Sequence, residues 1–152
     1  MQPGDLVPDF TLPDQHGNPV TLSTILNDGP VVLFFYPAAM TAGCTKEACH
    51  FRDLGAAFAA LSTTRLGISM DDSAKQADFA STHAFDYPLL ADVNGAVAKA
   101  FGVKRAVGFL KVRRKTFVIG QDRRVIAEVG NEFNMHAHAD EALAILTARA
   151  NQ

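Results

Sequence analysis

The sequence predicts an α/β domain organised around a central mixed sheet. Three observations carry that reading. The run VVLFFY, Val31 to Tyr36, is continuously apolar and rich in β-branched and aromatic residues, as in a strand buried on both faces. Downstream of it, strand-like runs alternate with stretches of helical period. Two more strand-like runs around a polar turn, then an amphipathic stretch, end the chain.

The elements follow in order. DFTLPDQHGNPVTL has two short apolar stretches around His-Gly-Asn-Pro, which predicts an N-terminal hairpin. Ser23 to Leu26 allows one helical turn. From Cys44 to Leu61 the apolar positions Ala48, Phe51, Leu54, Phe58 and Leu61 step by three and four. That is one face of an amphipathic helix, with Gly55 as a tolerated weak spot. Thr64 to Met70 is a strand candidate closed by Asp71-Asp72. Ser73 is the expected cap of a helix to about His83, with Ala77, Phe79 and Ala80 on its buried side.

Tyr87 to Leu90 is short and extended. Asp92 is the expected cap of a helix through Phe101, ended by Gly102. KRAVGFLKVRRK, Lys104 to Lys115, reads as a basic surface loop. Thr116 to Ile119 and Val125 to Val129 are strands joined by the turn Gly120 to Arg124. A last helix is expected from His138 to about Ala150, with Ala142, Leu143 and Leu146 on one face.

Composition bounds the function. A chain of 152 residues is most simply one domain, residues 1–152, with room for a real core. Its 48% hydrophobic and 20% charged residues are globular values and exclude a disordered chain. A net charge of -2 argues against nucleic acid as the main partner. MQPGDLVPDF has no basic start followed by an apolar run, and Val31 to Tyr36 is too short to cross a bilayer. The expectation is a soluble, cytoplasmic protein that contacts no membrane. In a reducing compartment two close cysteines point to metal binding or redox chemistry rather than a staple.

Those cysteines, Cys44 and Cys49, both lie in PAAMTAGCTKEACHFRD, directly after the buried strand. With a helix starting near Gly43, Cys44 falls in the first turn, beside free N–H groups and the positive end of the dipole. That setting favours the thiolate, which is the nucleophile. The Thr41 hydroxyl can lie beside the sulfur or a substrate oxygen, and Pro37 can shield the pocket. A buried apolar role suits Cys44 poorly, because its flanks Gly43, Thr45 and Lys46 are small or polar. For Cys49, between Ala48 and His50, a core role stays open. Zinc bound by Cys44, Cys49 and His50 is disfavoured, since no second ligand pair is evident. His136 and His138 read as solvated or capping residues.

The spacing has a consequence of its own. Helical positions i and i+5 hold their α-carbons about 8 to 9 Å apart, beyond the roughly 7 Å a disulfide tolerates. Any Cys44–Cys49 disulfide therefore requires the first turn to unwind.

PAAMTAGC resembles the Pro-x-x-x-Thr-x-x-Cys signature of peroxiredoxins, with Pro37, Thr41 and Cys44 in register. CTKEACHFRD resembles the PrxQ, or bacterioferritin-comigratory-protein, subfamily, in which a resolving cysteine follows five residues later. GDLVPDFTLPDQHGNPVTLS, FDYPLLAD, VAKAFGV and RKTFVI extend the likeness along nearly the whole chain. The resemblance implies a thioredoxin-like fold, a central mixed sheet flanked by helices with an N-terminal β-hairpin. It implies a thiol peroxidase of the atypical 2-Cys type without cofactor or metal.

Cys44 would be the peroxidatic cysteine and Cys49 the resolving one, joined in an intramolecular disulfide. Thr41 would bind the peroxide oxygens and Pro37 would shield the sulfur. The family's active-site arginine falls on Arg114, with Arg113 as the other candidate, and its charge would favour the thiolate. Glu47 and Arg52 match family positions in supporting roles. Ala42 stands where the family more often has Pro. The implied partners are hydrogen peroxide or organic hydroperoxides and a thioredoxin-type reductant, with a monomer as the default.

Two other functions share these features. A thioredoxin-like thiol–disulfide exchanger is disfavoured because such proteins use CxxC, where both sulfurs meet at a helix start. A non-catalytic peroxide sensor would use the same Cys44 chemistry once per thiol rather than in turnover.

Overall fold

The computed structural model describes residues 1–106, 108 and 111–152. A small antiparallel hairpin comes first, β1 (Thr11–Pro13) and β2 (Pro19–Thr21), paired Thr11 to Thr21. Its turn is tied by Asp14, whose carboxylate accepts from the backbone of His16 and Asn18. One turn of helix, α1 (Leu22–Ile25), and a 3₁₀ turn then lead into β3 (Val31–Phe35).

The main sheet has five strands in the order β5-β4-β3-β6-β7. They are β4 (Thr64–Ser69), β5 (Leu89–Ala91), β6 (Lys115–Ile119) and β7 (Val125–Val129), around the central β3. β3, β4 and β5 run parallel, and β6 and β7 are antiparallel to their neighbours, so the sheet is mixed as expected. Every residue of β3 is buried, which is what its unbroken apolar run requires. Alternate side chains serve two cores. Val31, Leu33 and Phe35 pack with Leu66, Phe101 and Phe117, whereas Val32, Phe34 and Tyr36 pack with Phe51, Phe58 and Phe79.

The helices are α2 (Ala42–Asp53), α3 (Gly55–Ala60), α4 (Ser73–His83), α5 (Ala96–Ala100) and α6 (Ala137–Ala150). The second core receives Ala48 and Phe51 of α2, Phe79 of α4 and Ala142 and Leu146 of α6. Among the described residues no helix is long and apolar enough to cross a membrane.

Several boundaries correct the sequence reading. The helix expected from Cys44 to Leu61 breaks at Leu54 into α2 and α3. Gly55 is more than a weak spot there. A Cβ on it would stand 3.0 Å from the Arg65 guanidinium, so the bare backbone makes room for that side chain. Asp72, not Ser73, caps α4, its carboxylate accepting from Lys75 N–H at 2.9 Å. Gly95 holds the cap position of α5, yet Asp92 still serves that helix by accepting from Val97 and Ala98.

The basic segment after α5 is more ordered at its ends than a surface loop. Lys104 pairs with Val112, Arg105 N–H donates to Lys111 and Arg113 N–H donates to Val103. Its middle, residues 107, 109 and 110, lies outside the described residues.

Candidate active site

The topology brings Cys44 and Arg114 together. β6 runs antiparallel to β3, and its first residue, Lys115, pairs with Phe35 near the end of β3. The residue before β6 is therefore delivered to where β3 turns out toward α2. Alternation along the extended chain decides between the two arginines: Arg113 is exposed and Arg114 is buried. Arg114 is the residue at the site.

Between β3 and α2 the chain makes a tight turn. Met40 adopts a left-handed φ of 66°, a conformation seldom used by a residue with a side chain. Asp71, just after β4, holds the turn by accepting from Ala39 N–H at 2.7 Å and from the Ser69 hydroxyl. Thr41 occupies the cap position of α2 without a side-chain cap. Its hydroxyl donates instead to the Ala38 carbonyl at 2.7 Å. The first-turn N–H groups around Cys44 thus gain no help from Thr41 and keep their donor capacity. Pro37 lines a cavity of about 120 Å³ with Ala38, Met70, Asp71 and Lys111.

Cys44 is the third residue of α2 and 1% exposed. Arg114 Nη2 donates to its sulfur at 3.3 Å, and Nη1 donates to Glu47 Oε1 at 2.9 Å. One guanidinium edge thus spans a thiol and a carboxyl one helical turn apart. Gly43 permits this approach, since a Cβ there would lie 3.3 Å from Arg114 Nη2 and 3.5 Å from Met135 Sδ. Cys49, five residues on in the same helix, is partly buried, and both thiols are free. Two cysteines in one unbroken helix face away from the bonded geometry, as the spacing requires.

The sequence reading undervalued two residues. Glu47 is 0% exposed and burial pushes its carboxyl up to about 8, against the attraction of Arg114. His138, expected to be solvated or a cap, is fully buried between Thr116, Asn131 and Glu47. Its place near the start of an amphipathic helix gave no sign of this, because the groups that bury it come from β6 and the loop before α6. His136 is exposed at the cap position of α6 and stacks on His50, ring centroids 4.1 Å apart. His50 in turn contacts Asp140 at 2.7 Å. Arg52 donates to the His83 carbonyl and pairs with Asp53, which ties α2 to the end of α4.

The chain is similar in sequence and fold to known proteins. Residues 3–128 match the AhpC/TSA family. The chain is 59% identical to peroxidoxin BcpB of Mycobacterium tuberculosis, whose crystal structure superposes with a TM-score of 0.94 over 97% of each chain. Chloroplastic peroxiredoxin Q of Arabidopsis thaliana is 42% identical, over 95% of this chain and 67% of its own length. The bacterioferritin comigratory protein of Xanthomonas campestris superposes with a TM-score of 0.85 at 28% identity, covering 93% of this chain and 92% of its own. The thioredoxin-like fold with its N-terminal hairpin is that of the peroxiredoxins. The chain belongs to the AhpC/TSA family and is a thiol peroxidase of the PrxQ, or bacterioferritin-comigratory-protein, subfamily.

Proposed function

We propose that this chain reduces hydrogen peroxide and organic hydroperoxides through Cys44 and regenerates itself through Cys49. The observation that carries the reading is the Arg114 guanidinium donating to the Cys44 sulfur at 3.3 Å in the first turn of α2. A fixed cation and uncapped N–H groups favour the thiolate over the thiol. The thiolate attacks the terminal peroxide oxygen, forming an S–O bond while the O–O bond breaks. The departing alkoxide or hydroxide takes a proton and leaves as alcohol or water. Thr41 and the helix N–H groups hold the peroxide oxygens, and Pro37 shields the sulfur.

The Cys49 thiol then attacks the Cys44 sulfenic acid, an S–S bond forms and water leaves. Because both cysteines belong to one helix, the first turn of α2 unwinds to let them meet. Fraying it sacrifices a few backbone hydrogen bonds at about 1 kcal/mol each. A thioredoxin-type dithiol reduces the disulfide, which suits a reducing cytoplasm. An intramolecular pair needs no second chain, so one domain acting as a monomer suffices. The X. campestris relative's structures concern alkyl peroxide reduction, which favours including organic hydroperoxides among the substrates.

The test is peroxide consumption in the presence of a thioredoxin system. The wild-type protein should turn over many times and Cys44→Ser not at all, whereas Cys49→Ser should react once and stop as a sulfenic acid. One reaction per thiol in the wild type would make the protein a sensor rather than an enzyme. Hydrogen exchange across Gly43 to Phe51 should be faster in the oxidised protein. Equal protection with the disulfide formed would show that no helix unwinds.

A further inference from the structure

Beyond Arg114 the buried polar chain continues to a group that this peroxidase reading does not use. His138 Nε2 lies 2.7 Å from the carbonyl oxygen of Asn131. A carbonyl only accepts, so Nε2 carries a proton. In the neutral ring Nδ1 is then an acceptor with a single lone pair, and the Thr116 hydroxyl, 2.8 Å away, is one donor within its reach. The same Nδ1 is 3.5 Å from Glu47 Oε2, a buried oxygen with no hydrogen-bond partner among the described residues. Both residues are 0% exposed. A buried carboxyl oxygen that no donor faces is stabilised as a neutral O–H, and Nδ1 stands 3.5 Å off to accept that proton when the Thr116 hydroxyl turns aside.

We propose that Glu47 and His138 hold one shared proton, and that this proton keeps the Arg114 charge available to Cys44. With the proton in place Glu47 is neutral, and the guanidinium faces one anion, the thiolate. Without it the carboxylate claims the guanidinium, and ionising Cys44 sets two anions against one cation. At neutral pH the pair therefore already holds its proton when the thiol gives up its own, and the guanidinium and the thiolate balance each other.

The surroundings favour retention of that proton. Burial raises the Glu47 carboxyl and holds the His138 imidazole down, which leaves the proton on the carboxyl side. Glu132, in the loop after β7, opposes proton loss from both groups, and Glu141 of α6 does so for His138. Arg114 works the other way on each. His138 is thus a positioning residue, acting on the thiol through Glu47 and Arg114 without touching substrate.

The inference rests on Cys44 being the reactive thiol, and the test separates the two. Alkylation of each cysteine by iodoacetamide is followed against pH by mass spectrometry in wild type, His138→Leu, Glu47→Gln and the double variant. His138→Leu should raise the midpoint for Cys44 by about one pH unit, because the Glu47 carboxyl loses the acceptor for its proton. In the Glu47→Gln background the same substitution should move nothing. Equal shifts in both backgrounds, expected of a merely structural histidine, overturn the inference, and so does the absence of any shift.

A second measurement needs no His138 variant. In infrared spectra of the reduced wild type the carbonyl stretch of a protonated carboxyl should be present at neutral pH and lost above about pH 8, and Glu47→Gln should lack that signal. Its absence at neutral pH overturns the shared proton. Failure of Cys44 to react faster than Cys49 would instead overturn the proposed function, and this inference with it.

Discussion

Two arginines with almost equal exposure, Arg65 at 9% and Arg114 at 8%, are held in opposite ways. Arg65, on β4, donates through Nη1 to the Phe51 carbonyl at 2.8 Å and through both nitrogens to Asp86 at 3.1 Å. It also lies over the Tyr87 ring, 4.9 Å from the centroid. Its carboxylate partner Asp86 is 61% exposed, so solvent completes the pair. Arg114 has a partner that is 0% exposed, and among the described residues its own Nε and Glu47 Oε2 have no hydrogen-bond partner. The first arginine is satisfied and joins the end of α2 to the sheet. The second keeps unspent electrostatic capacity beside a thiol. Buried polar groups are nearly always paired, so incomplete pairing directly beside a thiol is what a site that binds or reacts with something else would show.

That contrast can be broken most directly at Arg114. Arg114→Ala should slow the first reaction with peroxide about 100-fold, the scale of losing one well-placed donor to developing charge. Stopped-flow measurement of sulfenic acid formation reads it, and an unchanged rate would erase the distinction between the two arginines. Arg65→Ala should do the reverse. It leaves the Phe51 carbonyl and Asp86 without their donor, at a cost of about 2 kcal/mol in denaturant unfolding, while the peroxide rate stays within about twofold. The loss stays modest because water reaches Asp86.

The smallest effect sharpens the comparison through pH. The Glu47 carboxyl sits at about 8 in the folded protein against 4.5 when exposed in the unfolded chain. Between those values the folded state binds more protons, so stability falls as pH rises. Glu47→Gln should remove this slope and gain at least about 1 kcal/mol on the wild type between pH 5 and pH 8. Asp86 behaves oppositely. Its hydrogen bonds from Arg65 hold it below the usual carboxylate range, so what it contributes is lost only as the medium turns acid. Thermal unfolding of both proteins from pH 8 down into the acid range checks the two signs.

Local chemistry made some of this visible in the chain itself. The unbroken apolar run of β3 demanded burial on both faces, and the Pro-Thr-Cys spacing before an amphipathic stretch put Cys44 in the first turn of α2. The five-residue interval between the thiols sets a helical distance that no tertiary contact can shorten. Helix ends were less legible. Asp72 and Ser73 are both good caps, and only the backbone angles of the folded chain decide between neighbours. The break at Leu54 left no mark in the apolar spacing, and the Arg65 guanidinium fills the space at Gly55, a contact between residues ten positions apart.

By itself, then, the sequence determined the α/β order, the place of both thiols in one helical segment after β3, and the helical distance between them. These follow from composition, period and spacing along one segment, where each residue's neighbours are known. Tertiary structure alone decided that Arg114 rather than Arg113 reaches Cys44, 70 positions away, through the antiparallel register of β3 and β6. It alone placed His138 behind Glu47, where an exposed helix start was expected. Burial and charge pairing are set by whichever groups the fold brings within a few ångströms, and a sequence does not state that distance for residues far apart.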